Sequence, residues 1–170
     1  MTMQAAPQAS VEAMAARPAG QVASDIPNIN PATKLSTDYL NHFTEAIMVL
    51  EMVRAMPECQ DDLRTWRPKT YVEHFATSRF SRRDAVIAAY RAADPKLRAA
   101  LDSTADKLNN ALEDARDLVL SQVHSNGAHA SAQCVLASVK PLVGRMAAII
   151  NGTTGANAGS QAAIDALFSR

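Results

Sequence analysis

Apolar residues recur along most of this chain at spacings of three and four, the period of a helix that turns one face toward a core. From residue 36 to 56, Leu40, Phe43, Ile47 and Leu50 mark such a stripe, prolonged by the aliphatic stem of Arg54. Ser36, Thr37 and Asp38 supply a capping hydroxyl and an early carboxylate, and Pro57 stops the pattern, so a helix is predicted over 36–56. Met48, Val49 and Met52 add a second apolar face to it. A helix that is apolar on two sides needs two partners, and a second copy of the chain packed on those three residues would supply one.

Further on, the same period is broken into pieces. Pro57 opens a short helix that ends near Trp66, where Arg67-Pro68 breaks it. Thr70 and Glu73 have the spacing of a capping box and predict a short helix through Ser78, while Ser81 to Asp84 repeat the logic for one through Ala93. Asp94-Pro95 starts the longest helix, running to about His124, with Leu97, Leu101, Leu108, Leu112, Ala115 and Val119 on one face and Asp102, Asp106, Asn110, Glu113 and Asp117 on the other. Ser125-Asn126-Gly127 reads as its end. A final helix over 131–150 carries Val135, Leu136, Val139, Leu142, Val143, Met146 and Ile150, with a bend expected near Ala137 from Pro141 and a stop at Asn151-Gly152. No run alternates with the period of a strand. The pattern predicts an all-α antiparallel helical bundle of three long helices with short helices between the first two. Residues 1–34, rich in Ala, Gln, Ser and Pro, read as a disordered arm; 35–151 form the bundle, 152–159 a linker and 160–170 a separate short amphipathic helix.

Charge narrows the choice of partners. Among 170 residues, 17 Lys and Arg balance 17 Asp and Glu, which leaves no basic stripe for a phosphate backbone or anionic lipid and points to a protein partner rather than nucleic acid or membrane. Cys59 and Cys134 lie far apart without Cys-x-x-Cys spacing and read as buried free thiols. With no leader-like or membrane-spanning run, a cytoplasmic location is expected.

Chemistry is sparse. His42 and Glu45, at i and i+3 and off the main stripe, form a pair able to hold a metal or move a proton, yet a di-metal bundle centre needs two Glu-x-x-His pairs and further inward carboxylates, so no metal or cofactor is expected. His42 also reads as the best-exposed histidine for accepting phosphate, although the Phe43-Thr44-Glu45-Ala46 that follows lacks the Lys and Gly of phosphotransfer helices. His74 sits in a capped helix start, and His124 and His129 flank a loop. Trp66, Tyr71, Phe75 and Phe80 read as core aromatics. Nothing joins a nucleophile to an oriented base and an oxyanion site, so the chain reads as a binding protein rather than an enzyme.

The tail is the most specific feature. After the Gly- and Ala-rich stretch from 151 to 159, Ile164, Leu167 and Phe168 share a helical face, with Gln161 and Asp165 beside it and Ser160 placed to cap. One apolar turn cannot sustain a helix in water, so this octamer needs a surface to dock on. The segment from Gly159 to Phe168 resembles the peptide by which the flagellar motor switch protein binds the phosphorylated chemotaxis response regulator, whose pattern is Ser-Gln-any-Glu-Ile-Asp-any-Leu-Leu. Ala163 stands where that pattern has Glu, and here the segment lies at the C-terminal end. The resemblance implies that Ile164, Leu167 and Phe168 fill a groove of a receiver domain while Gln161 and Asp165 meet its rim. A bundle with a tethered receiver-binding helix is also the organisation of a chemotaxis phosphatase. That resemblance implies an acid and an amide one turn apart, for which Asp106 and Asn110 have the spacing. The function expected is a helical adaptor or regulator of receiver signalling; phospho-aspartate phosphatase activity and a self-associating structural bundle are the alternatives.

Overall fold

A computed structural model describes residues 28–121 and 126–153; the linker from residue 154 on and the tail, with Gln161, Ile164, Asp165, Leu167 and Phe168, lie outside them. Among the described residues the fold is all-α: α1 (Tyr39–Met52), a 3-10 turn (Pro57–Cys59), α2 (Gln60–Thr65), α3 (Tyr71–Thr77), α4 (Arg83–Arg91), α5 (Pro95–Ser121) and α6 (Asn126–Asn151). The boundaries follow local chemistry. Thr70 Oγ1 accepts from the Glu73 backbone N–H while the Glu73 carboxylate accepts from that of Thr70, closing the capping box that starts α3. Asp94 Oδ1 accepts from the backbone N–H groups of Lys96 at 2.7 Å and Leu97 at 3.3 Å, which caps α5 beside its Pro95 start. At the other end of the fold, Gly152 takes φ +71° so that its N–H reaches Ile149 O and that of Thr153 reaches Ala148 O, the paired bonds that close a helix through a left-handed residue.

Three long helices make the core. α5 and α6 share the most extensive contact, and α1 lies against both. The Thr33 hydroxyl donates to Ile150 O at 2.5 Å, and Lys140 meets Glu51 at 2.8 Å near the far end of α1. These two contacts run α1 antiparallel to α6. The buried stripes are those of the pattern: Leu40, Phe43, Ile47 and Leu50 on α1, Leu101, Leu108, Leu112, Ala115 and Val119 on α5, Leu136, Val139, Val143, Met146 and Ile150 on α6. α2 bridges α1 and α5, and α3 packs on α1 and α4.

Several boundaries differ from the sequence reading. Residues 28–34 are packed rather than part of an arm: Ile29 and Thr33 are buried, Ile29 pairs with Ser36 in an isolated antiparallel bridge, and Tyr71 Oη accepts from the Ser36 N–H at 2.8 Å. Composition missed this because the carbonyls that anchor the segment, Ile150 O for Thr33 and Ala92 O for Lys34, lie far along the chain. α1 stops at Met52, with hydrogen-bonded turns carrying the chain to Pro57. α6 starts at Asn126, so the Asn126-Gly127 expected in a loop begins the last helix. Pro141 stays inside α6 without ending it, and the Ala137 carbonyl that loses its donor belongs to an exposed residue. Cys134 is exposed on α6, not buried. Within Gly127–Asn151 an 18-residue stretch reaches a mean hydropathy of 1.4, so α6 has the length and composition of a membrane span, as core helices also do. Its apolar side is turned onto α1 and α5.

Candidate functional site

His42, Glu45, Ala46 and Val49 recur at i, i+3, i+4 and i+7, so α1 presents them as one face, and the end of α2 with the segment leading to α3 closes over it. Pro68 holds Arg67 away from helical geometry, and Trp66 ends α2 in an extended conformation (φ −61°, ψ 137°), which swings the chain across α1. Between them lies a cavity of about 180 Å³ lined by those four residues and by Asp62, Thr65, Trp66, Arg67 and Lys69.

The wall of that cavity is a clamp on one loop peptide. The Lys69 N–H donates to His42 Nε2 at 3.2 Å, and Lys69 O accepts from Asn109 Nδ2 at 3.1 Å and from Tyr39 Oη at 2.7 Å. Side chains of α1 and α5 thus satisfy the peptide that connects α2 to α3. Because Nε2 accepts there, the neutral ring carries its proton on Nδ1; Asn109 Oδ1 lies 3.3 Å from Nε2. Trp66 Nε1 donates to His42 O at 3.1 Å, and its indole stacks on the imidazole with centroids 5.1 Å apart. Tyr39, at 6.1 Å, stacks with the same ring, and His74 lies at 5.8 Å. Behind Trp66, its carbonyl takes hydrogen bonds from Arg67 and from the buried Arg116, which Glu113 and Asp117 neutralise.

Burial sets the charge states. His42 is 4% exposed. Removal from water lowers its pKa to about 4, with His74 adding a smaller push, so the ring is neutral at pH 7. His74 is lowered for the same reason, and the Tyr39 hydroxyl is raised well above its usual range by burial and then by Asp102 and Asp106. A neutral histidine committed to a backbone N–H is a structural pin. His42 is therefore not the exposed phosphate acceptor of the sequence reading, and among the described residues no hydrogen bond or ion pair joins it to Glu45, which is exposed beside the cavity.

The other candidates lie apart. Asp106 and Asn110 are exposed one turn apart on α5. Met48 is 52% exposed and Met52 half-buried, but Val49 is buried in the core, so that face comes down to two methionines. His129 is buried on α6 rather than in a loop, and His124 is outside the described residues. Trp66, Tyr71 and Phe75 are buried as expected and Phe80 partly so. Among the described residues no group of three His, Cys, Asp or Glu is gathered in a way that could hold a metal. Asn109 and Lys69 escaped the sequence reading; the one signal was an amide beside the apolar stripe of α5, between Leu108 and Leu112. No protein-family model matches the chain, and no curated protein or solved structure was found to match it.

Proposed function

We propose that this chain is a non-enzymatic helical adaptor that binds a receiver domain of a chemotaxis or two-component pathway through residues 160–170. Ile164, Leu167 and Phe168 fill the receiver's groove, and Gln161 and Asp165 contact its rim. The observation that carries the reading is that α6 closes the core with its own last turn. Ile149 and Ile150 are buried, and the helix is terminated at Gly152, so an apolar octamer that follows a Gly- and Ala-rich stretch is not needed to complete that core. The cavity beside His42 favours binding over catalysis as well, because its histidine is neutral and already engaged.

The test is deletion of residues 160–170. The thermal unfolding midpoint is expected to stay within about 2 °C, the size of a shift below about 0.5 kcal/mol for a chain of this length. Binding to a beryllofluoride-activated chemotaxis receiver domain, measured by calorimetry, is expected to vanish. Equal affinity with and without the segment, or no binding by the full chain, overturns the proposal.

A further inference from the structure

Around the cavity beside His42, charged side chains of both signs are held close without neutralising one another. Glu45 on α1 and Asp62 on α2 carry carboxylates at the rim; Arg67 and Lys69, from the segment after α2, bring a guanidinium and an ammonium. Among the described residues no ion pair joins either acid to either base. The Arg67 guanidinium is held back by Nη1, which donates to the carbonyls of Arg64 and Trp66, and its Nε and Nη2 have no partner there. Lys69 Nζ is turned to Thr77 Oγ1 at 3.2 Å. Glu45 and Asp62 accept no hydrogen bond through their carboxylates among the described residues, although opposite charges with this much freedom ordinarily pair at little cost. Ala46, Val49 and Trp66 add apolar surface to a lining that is otherwise mostly polar.

We infer that this cavity is a binding site for a small zwitterion, an α-amino acid or a betaine of similar size. The ammonium end meets Glu45 and Asp62, the carboxylate end meets the free edge of Arg67, and the side chain or methyl groups lie against Val49 and Trp66. Size fits that class: about 180 Å³ holds several non-hydrogen atoms but lies below the roughly 300–1,000 Å³ of sites for drug-sized ligands. Charge fits it too. A ligand with one charge would leave the opposite pair of rim groups unanswered, whereas a zwitterion satisfies both. The neutral His42 adds no further charge to the balance. This site stands apart from the terminal segment, and nothing in it depends on residues 160–170.

Trp66 is the one tryptophan of the chain, so its fluorescence reports the cavity directly. The full-length protein is titrated with the common protein amino acids and glycine betaine, and with n-butylamine and butyrate as ligands bearing a single charge. At least one zwitterion is expected to give a saturable change, at about tenfold higher affinity than either singly charged compound. Glu45→Gln and Arg67→Gln are each expected to weaken it about tenfold, with circular dichroism and the unfolding midpoint unchanged. Both replaced side chains are exposed, so the fold should tolerate the changes. Absence of any saturable response up to roughly 50 mM, well past the ~1 mM scale of weak binding, overturns the inference. So does tight binding of butylamine or butyrate alone, or a zwitterion response that both variants retain. The protein lacking residues 160–170 should bind the zwitterion as the full chain does, which separates this outcome from that of the receiver experiment.

Discussion

Lowering the pH from 7 to 4 should cost this protein a defined share of its stability through His42. In the unfolded chain the imidazole takes a proton near pH 6.5; in the fold, burial, reinforced by His74, delays this to about 4. Between those values the unfolded state binds a proton that the native ring refuses, so stability is full above pH 6.5 and falls as the pH drops toward 4. The interval is about 2.5 pH units, and at 1.36 kcal/mol per unit it amounts to about 3 kcal/mol at most, since water entering around a charged ring reduces the cost. Protonation at Nε2 would also displace the Lys69 N–H, loosening the segment that closes the cavity. Against a typical total of 5–15 kcal/mol, roughly, this is a large fraction. Urea unfolding between pH 7.5 and 4 measures it. Glu73 and His74, both lowered in the fold, add slope of the same sign, so the quantity to read is the difference between the native protein and His42→Gln, whose amide oxygen can still accept from Lys69. The variant should be less stable at pH 7, and the gap should narrow by about 2–3 kcal/mol by pH 4. Parallel pH profiles for the two proteins would refute a buried, neutral His42.

Two further substitutions probe the frame around the site. Phe43→Ala removes a fully buried ring that packs edge-on against Tyr39 at 5.0 Å and should cost about 3–5 kcal/mol in urea unfolding; a loss under about 1 kcal/mol would mean that α1 is not the centre of the core. Thr70→Ala breaks the capping box of α3 and should cost about 1 kcal/mol. In the same variant the Glu73 carboxyl, held below its ordinary value by the Thr70 backbone and hydroxyl, should titrate closer to that ordinary value by NMR; an unmoved titration would show that the box is not what lowers it.

Local rules go a long way in this chain because helices are local objects. Pro57, Thr70 with Glu73, Asp94-Pro95 and Gly152 each mark a helix end through bonds made within a few residues, and the structure has its helix ends at or beside them. The three- and four-residue spacing likewise named most of the buried side chains of α1, α5 and α6, since burial on a helix is a question of face. Where the sequence reading slipped, the deciding partner was distant. Asn126-Gly127 has the composition of a stop, but nothing local shows that the next helix begins there. Residues 28–34 have the composition of an arm, yet Ile150, 117 positions after Thr33, accepts its hydroxyl.

The site shows the same division more sharply. By itself the sequence determined that His42 lies off the main apolar stripe of its helix, and the inference that it was therefore solvated followed from one helix alone. Only the tertiary structure decided otherwise. Pro68 turns the chain back over α1, which brings the Trp66 ring and the Lys69 peptide onto the imidazole while Asn109 arrives from α5, 67 positions away. A hydrophobic period records which side of a helix faces the core; it carries no record of which loop will cover the other side. The fold class was therefore written in spacing, and the charge state of His42, with the cavity beside it, in contacts between segments far apart along the chain.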